Sequence, residues 1–393
     1  MIDLFKVFMA PKAAEEVATV INSGYIGEGP KVKLFESELK KVFNNDYVVT
    51  TNSATSAEHL ILHLLKSPDL FRDLQDAQYG ISSEINWEGF TKDDVVLTTP
   101  LTCTATNWPI LANQMKLQWV DVDPNTMNMD LDDLARKITK LTKIIFIVHW
   151  GGYPVDLDKI RKIQAKTYQT YGFRPLVIQD CAHAIGSTYK GKHLANTGDI
   201  CTFSFQAIKH MTCGDGGALV VPYKELYDRA KLTRWYGIDR ESNRKDFRCE
   251  TDIKEFGFKF HMNDISATIG LSNLPFLRNV LDTHRANASL YNEKLKNTPG
   301  LTLLENKPDR ESSYWIYTVK VENREGFMKK MNEAGIQVSR VHERNDKHTC
   351  VNEFKSILPN LDQVVNEMIC IPVGWWVTKE NAEFIIDTIK KGW

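Results

Sequence analysis

Residues 176–221 read LVIQDCAHAIGSTYKGKHLANTGDICTFSFQAIKHMTCGDGGALVV, and this stretch decides the fold. Its opening run, Leu176-Val177-Ile178, is short and apolar, and Asp180 closes it. In an open α/β sheet, ligands bind at the carboxyl ends of strands. Two further apolar runs, Ile200 to Phe205 and Ala218 to Val221, have no helical pattern between them. They are expected to be adjacent strands flanking a site loop that carries Lys209. The turn Gly214-Asp215-Gly216-Gly217 lacks the spacing of a phosphate loop or a dinucleotide fold, so by itself it is only a tight turn.

Working outward, Val48-Val49-Thr50, Val95-Val96-Leu97, Leu117 to Val120 and Ile144 to Val148 alternate with helical segments. That rhythm predicts an α/β fold with a mostly parallel sheet covered by helices. Helical spacing of Val17, Val20 and Ile21, then of Val32, Phe35, Leu39, Val42 and Phe43, predicts two helices ahead of the first strand. After Asn263 a long helical pattern runs through Ile265, Ile269, Leu274, Leu277 and Leu281 toward Pro299-Gly300, beyond which the elements shorten. The expected division is residues 1–262 as N-terminal helices and a large α/β domain, and 263–393 as a linking helix and a small C-terminal α/β domain. Residues 67–89 break the rhythm with polar, aromatic-dotted sequence and read as an insertion on the sheet's rim.

Composition removes several function classes. Across 393 residues, 49 Lys+Arg face 50 Asp+Glu, which leaves no basic excess to neutralise a nucleic-acid backbone. The N-terminal stretch carries Asp3 and Lys6 before any signal-length apolar run, and no run reaches the roughly 18 apolar residues of a membrane helix, so neither a signal peptide nor a membrane partner is expected. The 7 cysteines are scattered and never in C-x-x-C spacing, which points to a reducing cytoplasm. His59 and His63 stand at i and i+4, but Leu-Ile-Leu between them omits the glutamate of a zinc-protease helix, so no metal site is expected. No G-x-S-x-G is present for a serine hydrolase.

The residues of the opening stretch gain meaning together. Alone, Asp180 is an ordinary cap, His183 a structural histidine, Ser204 a residue buried between Phe203 and Phe205, and Lys209 a surface charge. Together they suit pyridoxal phosphate, which needs an amine for a Schiff base, a carboxylate at the pyridine nitrogen and a phosphate cradle. Asp180 would keep the ring nitrogen protonated, His183 would donate to the phenolic oxygen, and Lys209 would hold the cofactor and then shuttle a proton. The small hydroxylic turn Asn52-Ser53-Ala54-Thr55-Ser56-Ala57, leading from the first strand into a helix, suits the phosphate, with ordinary N-capping as the competing explanation.

At these residues the chain resembles the DegT/DnrJ/EryC1/StrS family of pyridoxal phosphate dependent nucleotide-sugar aminotransferases. The likeness runs from Ser23-Gly24 and Gly29-Pro30 through Asp121-Val122-Asp123-Pro124, Val148-His149, Gly152-Tyr153-Pro154, Asp180 to Gly186, Gly198-Asp199 and Phe203 to Gly217, ending at Gly257 to Gly270. It implies the type I aminotransferase fold, with Lys209 as the cofactor lysine, Asp180 at the pyridine nitrogen, His183 at the phenolic oxygen, and Ser204, Thr55 and Ser56 on the phosphate. Three positions depart from the family pattern: Cys103 stands where the ring-stacking aromatic is usual, Ala54 replaces a glycine, and Lys259 occupies the place of an asparagine that reaches the partner subunit's phosphate.

The resemblance therefore implies a cytoplasmic homodimer with shared sites. It would take nitrogen from L-glutamate, leave pyridoxamine phosphate and 2-oxoglutarate, and aminate a nucleotide-linked keto-deoxysugar for glycan or lipopolysaccharide biosynthesis. Tyr25, Glu28, His342, Asn345 and His348 lie in turn-like segments that the family uses at the pocket mouth, and they are the substrate candidates. Two rivals remain: a sugar 3-dehydratase, whose branch of the family has histidine in place of the lysine, and a non-catalytic pyridoxal phosphate sensor. Lys209 in register, with His210 only following it, favours transamination.

Overall fold

The computed structural model of the chain describes residues 1–67, 87, 89–242, 246, 250 and 252–393. Helices α1 (Ala13–Ser23) and α2 (Pro30–Phe43) precede β1 (Val48–Thr51) and α3 (Ala54–Leu64). There follow β2 (Val95–Thr98), α4 (Thr104–Ala112), β3 (Lys116–Trp119), α5 (Leu131–Lys137), β4 (Thr142–Val148), α6 (Leu157–Tyr171) and β5 (Leu176–Asp180). A small ribbon, β6 (Thr188–Tyr189) and β7 (Lys192–His193), leads to β8 (Ile200–Ser204), β9 (Gly217–Val220) and α7 (Lys224–Thr233). Among the described residues the main sheet has seven strands in the order β1-β9-β8-β5-β4-β2-β3. All run parallel except β9, which pairs antiparallel with both β1 and β8.

Alternation along each strand builds a core on either face of this sheet, as a doubly covered sheet requires. Val49, Val96, Ile144, Phe146, Ile178 and Leu219 enter one cluster, while their neighbours Val48, Leu97, Ile145, Ile147, Val177 and Val220 enter the other. Strand burial is complete enough that the sequence shows apolar runs rather than a polar-apolar alternation. The runs Ile200 to Phe205 and Ala218 to Val221 do form neighbouring strands, with Ser204 opposite Gly217 and Lys209 in the connection between them.

The long helix expected after Asn263 is two helices. α8 (Asp264–Asn273) and α9 (Leu277–Lys294) are separated by a 3-10 turn at Leu274–Phe276, where Pro275 cannot donate to an α-helical ladder. α8 contributes Ala267 to the core that holds Val32, Phe35 and Leu39 of α2, and α9 spans two cores, adding Leu277 and Leu281 to that one and Ala288 and Tyr291 to a third. That third core lies around β10 (Leu301–Leu303), β12 (Tyr317–Val321) and β13 (Met368–Ile371), covered by α10 (Arg324–Glu333) and α12 (Lys379–Lys390). The short β11 (Arg310–Glu311) pairs with β6, and α11 (Pro359–Glu367) precedes β13. The N-terminus joins the third core, with Ile2 bridged to Ile336. Apart from Ser67, Trp87 and Gly89, the expected 67–89 insertion lies outside the described residues.

Candidate active site

The strand directions bring the sequence-predicted residues to one end of the sheet. Thr51 ends β1, Gly217 opens the antiparallel β9 and Ser204 ends β8, and the three stand in register across neighbouring strands. Asp180 ends β5 beside Thr202 of β8. Because β8 runs up and β9 runs down, the connection carrying Lys209 has to lie at this same end. Gly217 has a steric reason as well: a Cβ there would lie 2.4 Å from Ser53 C and Ala54 N. The missing side chain lets β9 press against the turn that opens α3.

That turn is built for an anion. Ser53 caps α3, its Oγ accepting from the Ser56 amide at 3.1 Å and lying 3.0 Å from Ser56 Oγ. Capping is therefore real here, and it leaves other first-turn amides and the half-buried Thr55 and Ser56 at a helix N-terminus, where the dipole favours negative charge. Lys259 reaches the same turn through its backbone: Asn52 Nδ2 donates to Lys259 O at 3.3 Å, and the Asn52 amide donates to Phe260 O at 2.7 Å. The Lys259 side chain is exposed.

Asp180 is buried and doubly anchored. Thr106 donates to Oδ2 at 2.7 Å and the Ala182 amide donates to Oδ1 at 2.9 Å. Burial raises its carboxyl above the ordinary value, while Thr106, Ala182 and the charge of Lys209 pull the other way. Lys209 lies with its Nζ 3.5 Å from the centroid of the Trp315 ring, and burial lowers its amine to about 8 despite opposing pulls from Asp180 and Cys103. The loop is tied down on both sides of the lysine: Trp315 Nε1 donates to Ile208 O at 2.9 Å, and His210 Nε2 meets Ser313 O at 2.9 Å.

His183 stacks on Trp315 with centroids 3.9 Å apart and lies nearly parallel to His342 at 5.5 Å. Burial, then Lys209 and His342, hold its imidazole well below the ordinary value, so it is neutral near pH 7. Its Nδ1 is buried with no hydrogen-bond partner among the described residues. Gly152, at φ +94°, lets the chain pass here: a Cβ would stand 2.1 Å from Ser313 Oγ and 2.7 Å from His183 O. Val341 adopts a φ of 69°, which β-branched residues avoid, immediately before His342.

The other substrate candidates separate. His342 joins Lys209 and His183, and its pKa falls to about 4 through burial and then Lys209. Asn345 is fully buried, its Nδ2 donating to Thr102 O at 2.9 Å and its Oδ1 accepting from Asn107 at 2.8 Å, which joins the C-terminal segment to α4. Glu28 is likewise engaged, its carboxylate meeting Arg234 at 2.7 Å and Arg240 at 3.2 Å on the border of a cleft of about 780 Å³. Tyr25 is exposed between α1 and α2, and His348 lies edge-on to Trp108 at 5.9 Å. Cys103 is half-buried before α4 and supplies no aromatic face. His59 and His63 pack edge-on against Phe258, with Phe260 and Phe256 adding to the same cluster.

Sequence reasoning missed Trp315 and Thr106. Thr106 sits three residues after Cys103 and two after the start of α4, so the helical register could have placed it; no local signal marked Trp315.

Residues 9–390 match the DegT/DnrJ/EryC1/StrS aminotransferase family. The chain belongs to that family. Among solved structures it is similar to AtS13 from Actinomadura melliaura, at 47% identity over 100% of this chain and 99% of that one with a TM-score of 0.91. It is also similar to the sugar aminotransferase CalS13 from Micromonospora echinospora, at 42% identity over the whole of both chains with a TM-score of 0.91. Among curated proteins, the dTDP-4-dehydro-2,3,6-trideoxy-D-glucose 4-aminotransferase of Saccharopolyspora spinosa is 30% identical over 86% of this chain and 83% of its own length. The family, the aminotransferase fold and the expectation of an amino-transferring enzyme hold. No helix among the described residues is long and apolar enough to cross a membrane.

Proposed function

We propose that this aminotransferase carries pyridoxal phosphate on Lys209 and moves nitrogen from L-glutamate to a keto carbon of a nucleotide-linked deoxysugar. The observation that carries the reading is the convergence of one amine, one buried carboxylate and one neutral imidazole at the strand ends, beside a helix N-terminus. The residues fit the cofactor. Thr55, Ser56, Ser204 and the first amides of α3 would hold the phosphate, Asp180 the ring nitrogen, and the unpartnered buried Nδ1 of His183 would meet the phenolic oxygen. Cys103 would lie against the ring. The exposed Lys259 would reach the partner subunit's phosphate in a homodimer. Sugar aminotransferases similar to this chain support the substrate class, and a cytoplasmic location goes with it.

When bound, the cofactor supplies an electron sink for the pair left on a substrate carbon that loses its proton. Everything else is the work of this chain's residues. An ionised Asp180 keeps a proton on the ring nitrogen, and its two anchors hold the carboxylate in place. With its amine near 8, Lys209 Nζ is neutral in about a tenth of molecules at pH 7, far more often than an ordinary lysine, which suits both attack on an aldehyde and proton transfer. Neutral His183 offers a hydrogen bond without adding positive charge beside that amine. His210, already bonded to Ser313, stays out of the chemistry.

Adding L-glutamate to the reconstituted protein tests the reading. The aldehyde absorbance should bleach with release of 2-oxoglutarate, and one member of a nucleotide keto-sugar panel should restore it. An absorbance indifferent to glutamate and every other amino acid would leave a binding protein, not a transferase.

A further inference from the structure

The proposed reaction makes no use of Glu58, a carboxyl that is 1% exposed in the second turn of α3. It packs on the sheet at Thr202, the register neighbour of Asp180, and Thr202 Oγ1 lies 3.4 Å from its Oε1. Its Oε2 is buried and accepts no hydrogen bond among the described residues. A carboxylate left in that state is costly, whereas a carboxylic acid has a proton to give. The groups facing it reinforce this: Asp180 at the end of β5 and Cys103 before α4 both disfavour a second negative charge, while the Lys209 charge favours an ionised Asp180.

We infer that Glu58 is a positioning residue for Asp180, its carboxylic acid donating a hydrogen bond to the Asp180 carboxylate and so fixing that group's orientation and basicity. The inference rests on the reading of Asp180 as the partner of the ring nitrogen. A carboxylate has about four lone-pair sites. Thr106 and Ala182 fill one on each oxygen, Glu58 takes a third, and one remains for a ligand. Two carboxyls thus share one proton in a buried site, the arrangement in which one of a pair keeps its proton far above the usual range. Burial and then Asp180 drive Glu58 that way.

The pair is testable without cofactor. In the cofactor-free protein at neutral pH, the infrared carbonyl stretch of a protonated carboxyl should be present in wild type and absent from Glu58→Gln. The stability test has a definite sign. Unfolded, Glu58 loses its proton near pH ~4.3; folded, it keeps it, so wild-type stability falls as pH rises above that point and Glu58→Gln is spared the fall. The variant's melting temperature should therefore rise relative to wild type as pH goes from about 4 to 8.

With cofactor bound, Glu58→Gln still offers a donor and should keep kcat within about threefold, whereas Glu58→Leu removes it and should lower kcat by about tenfold, the worth of one buried hydrogen bond. KM for the keto-sugar should not move. Should Glu58→Leu fail to fold, the infrared band and the pH trend of Glu58→Gln still decide the matter. A band that survives in Glu58→Gln, or a stability difference that does not grow with pH, would overturn the inference. A protein that shows both signatures but binds no pyridoxal phosphate would instead count against the proposed function.

Discussion

Replacing Asp180 by asparagine removes one charge at nearly constant volume, and the structure fixes what the amide would do. Asp180 accepts from the Ala182 amide on Oδ1 and from Thr106 Oγ1 on Oδ2. The asparagine carbonyl has to face Ala182, because an N–H cannot accept, and its amide nitrogen then faces Thr106. Thr106 can accommodate this by turning its own proton toward Thr102 Oγ1, 2.8 Å away. Both anchors survive, so Asp180→Asn should fold with little loss of stability. What disappears is a charge-assisted hydrogen bond to a protonated ring nitrogen in a shielded site, worth about 2 to 4 kcal/mol. At ~1.36 kcal/mol per tenfold, the glutamate half-reaction should slow by about 30- to 900-fold. Stopped-flow absorbance of the reconstituted variant measures this directly. The free Lys209 amine, no longer supported by the Asp180 charge, should also titrate below its present value of about 8. A half-reaction at the wild-type rate, with an unmoved lysine, would return Asp180 to the role of a strand-end cap.

Lys209→Ala should fold, retain some non-covalent cofactor and lose turnover by about 10³-fold or more, since holding and proton transfer go together; single-turnover rates check it. In the cofactor-free protein, the rate at which Lys209 condenses with a small aromatic aldehyde should rise with pH around a midpoint of about 8, because only the deprotonated amine attacks. Gly217→Ala puts a Cβ 2.4 Å from Ser53 C and Ala54 N, so denaturant unfolding should show a loss of about 1 to 3 kcal/mol and phosphate-dependent cofactor affinity should fall with it. Arg234→Met removes the guanidinium paired with the buried Glu36 and leaves Glu28 to Arg240 alone, and it should cost about 3 to 5 kcal/mol in the same measurement.

The fold was legible where strands are buried on both faces, because β4, β5 and β8 are largely apolar strands of five to seven residues. Helix breaks were less so: the pattern from Ile265 to Leu281 stays periodic across Pro275 because residues on both sides of the break, Ala267 before it and Leu277 and Leu281 after it, pack into the same core. At the site, Lys209, Asp180 and His183 were legible because their chemistry is scarce and their order is fixed by strand topology. For Asn345 the sequence shows only polarity in a turn-rich segment, which looks the same whatever the amide bonds, and its contacts with Asn107 and Thr102 come from the fold. Trp315 and Glu58 were invisible for a related reason. One sits among core aromatics and the other on a helix face, and only the folding of distant segments places them against Lys209 and Asp180.

The proposed transfer of nitrogen from an amino acid to a sugar through this site is open to direct measurement. Incubating the reconstituted enzyme with L-glutamate carrying isotopically labelled nitrogen and a nucleotide keto-sugar, then taking the mass spectrum of the sugar product, tests it most directly. The expected product is an amino sugar bearing the label, formed by wild type and not by Lys209→Ala. A sugar that loses a hydroxyl without acquiring nitrogen, or label that never leaves glutamate, would contradict it.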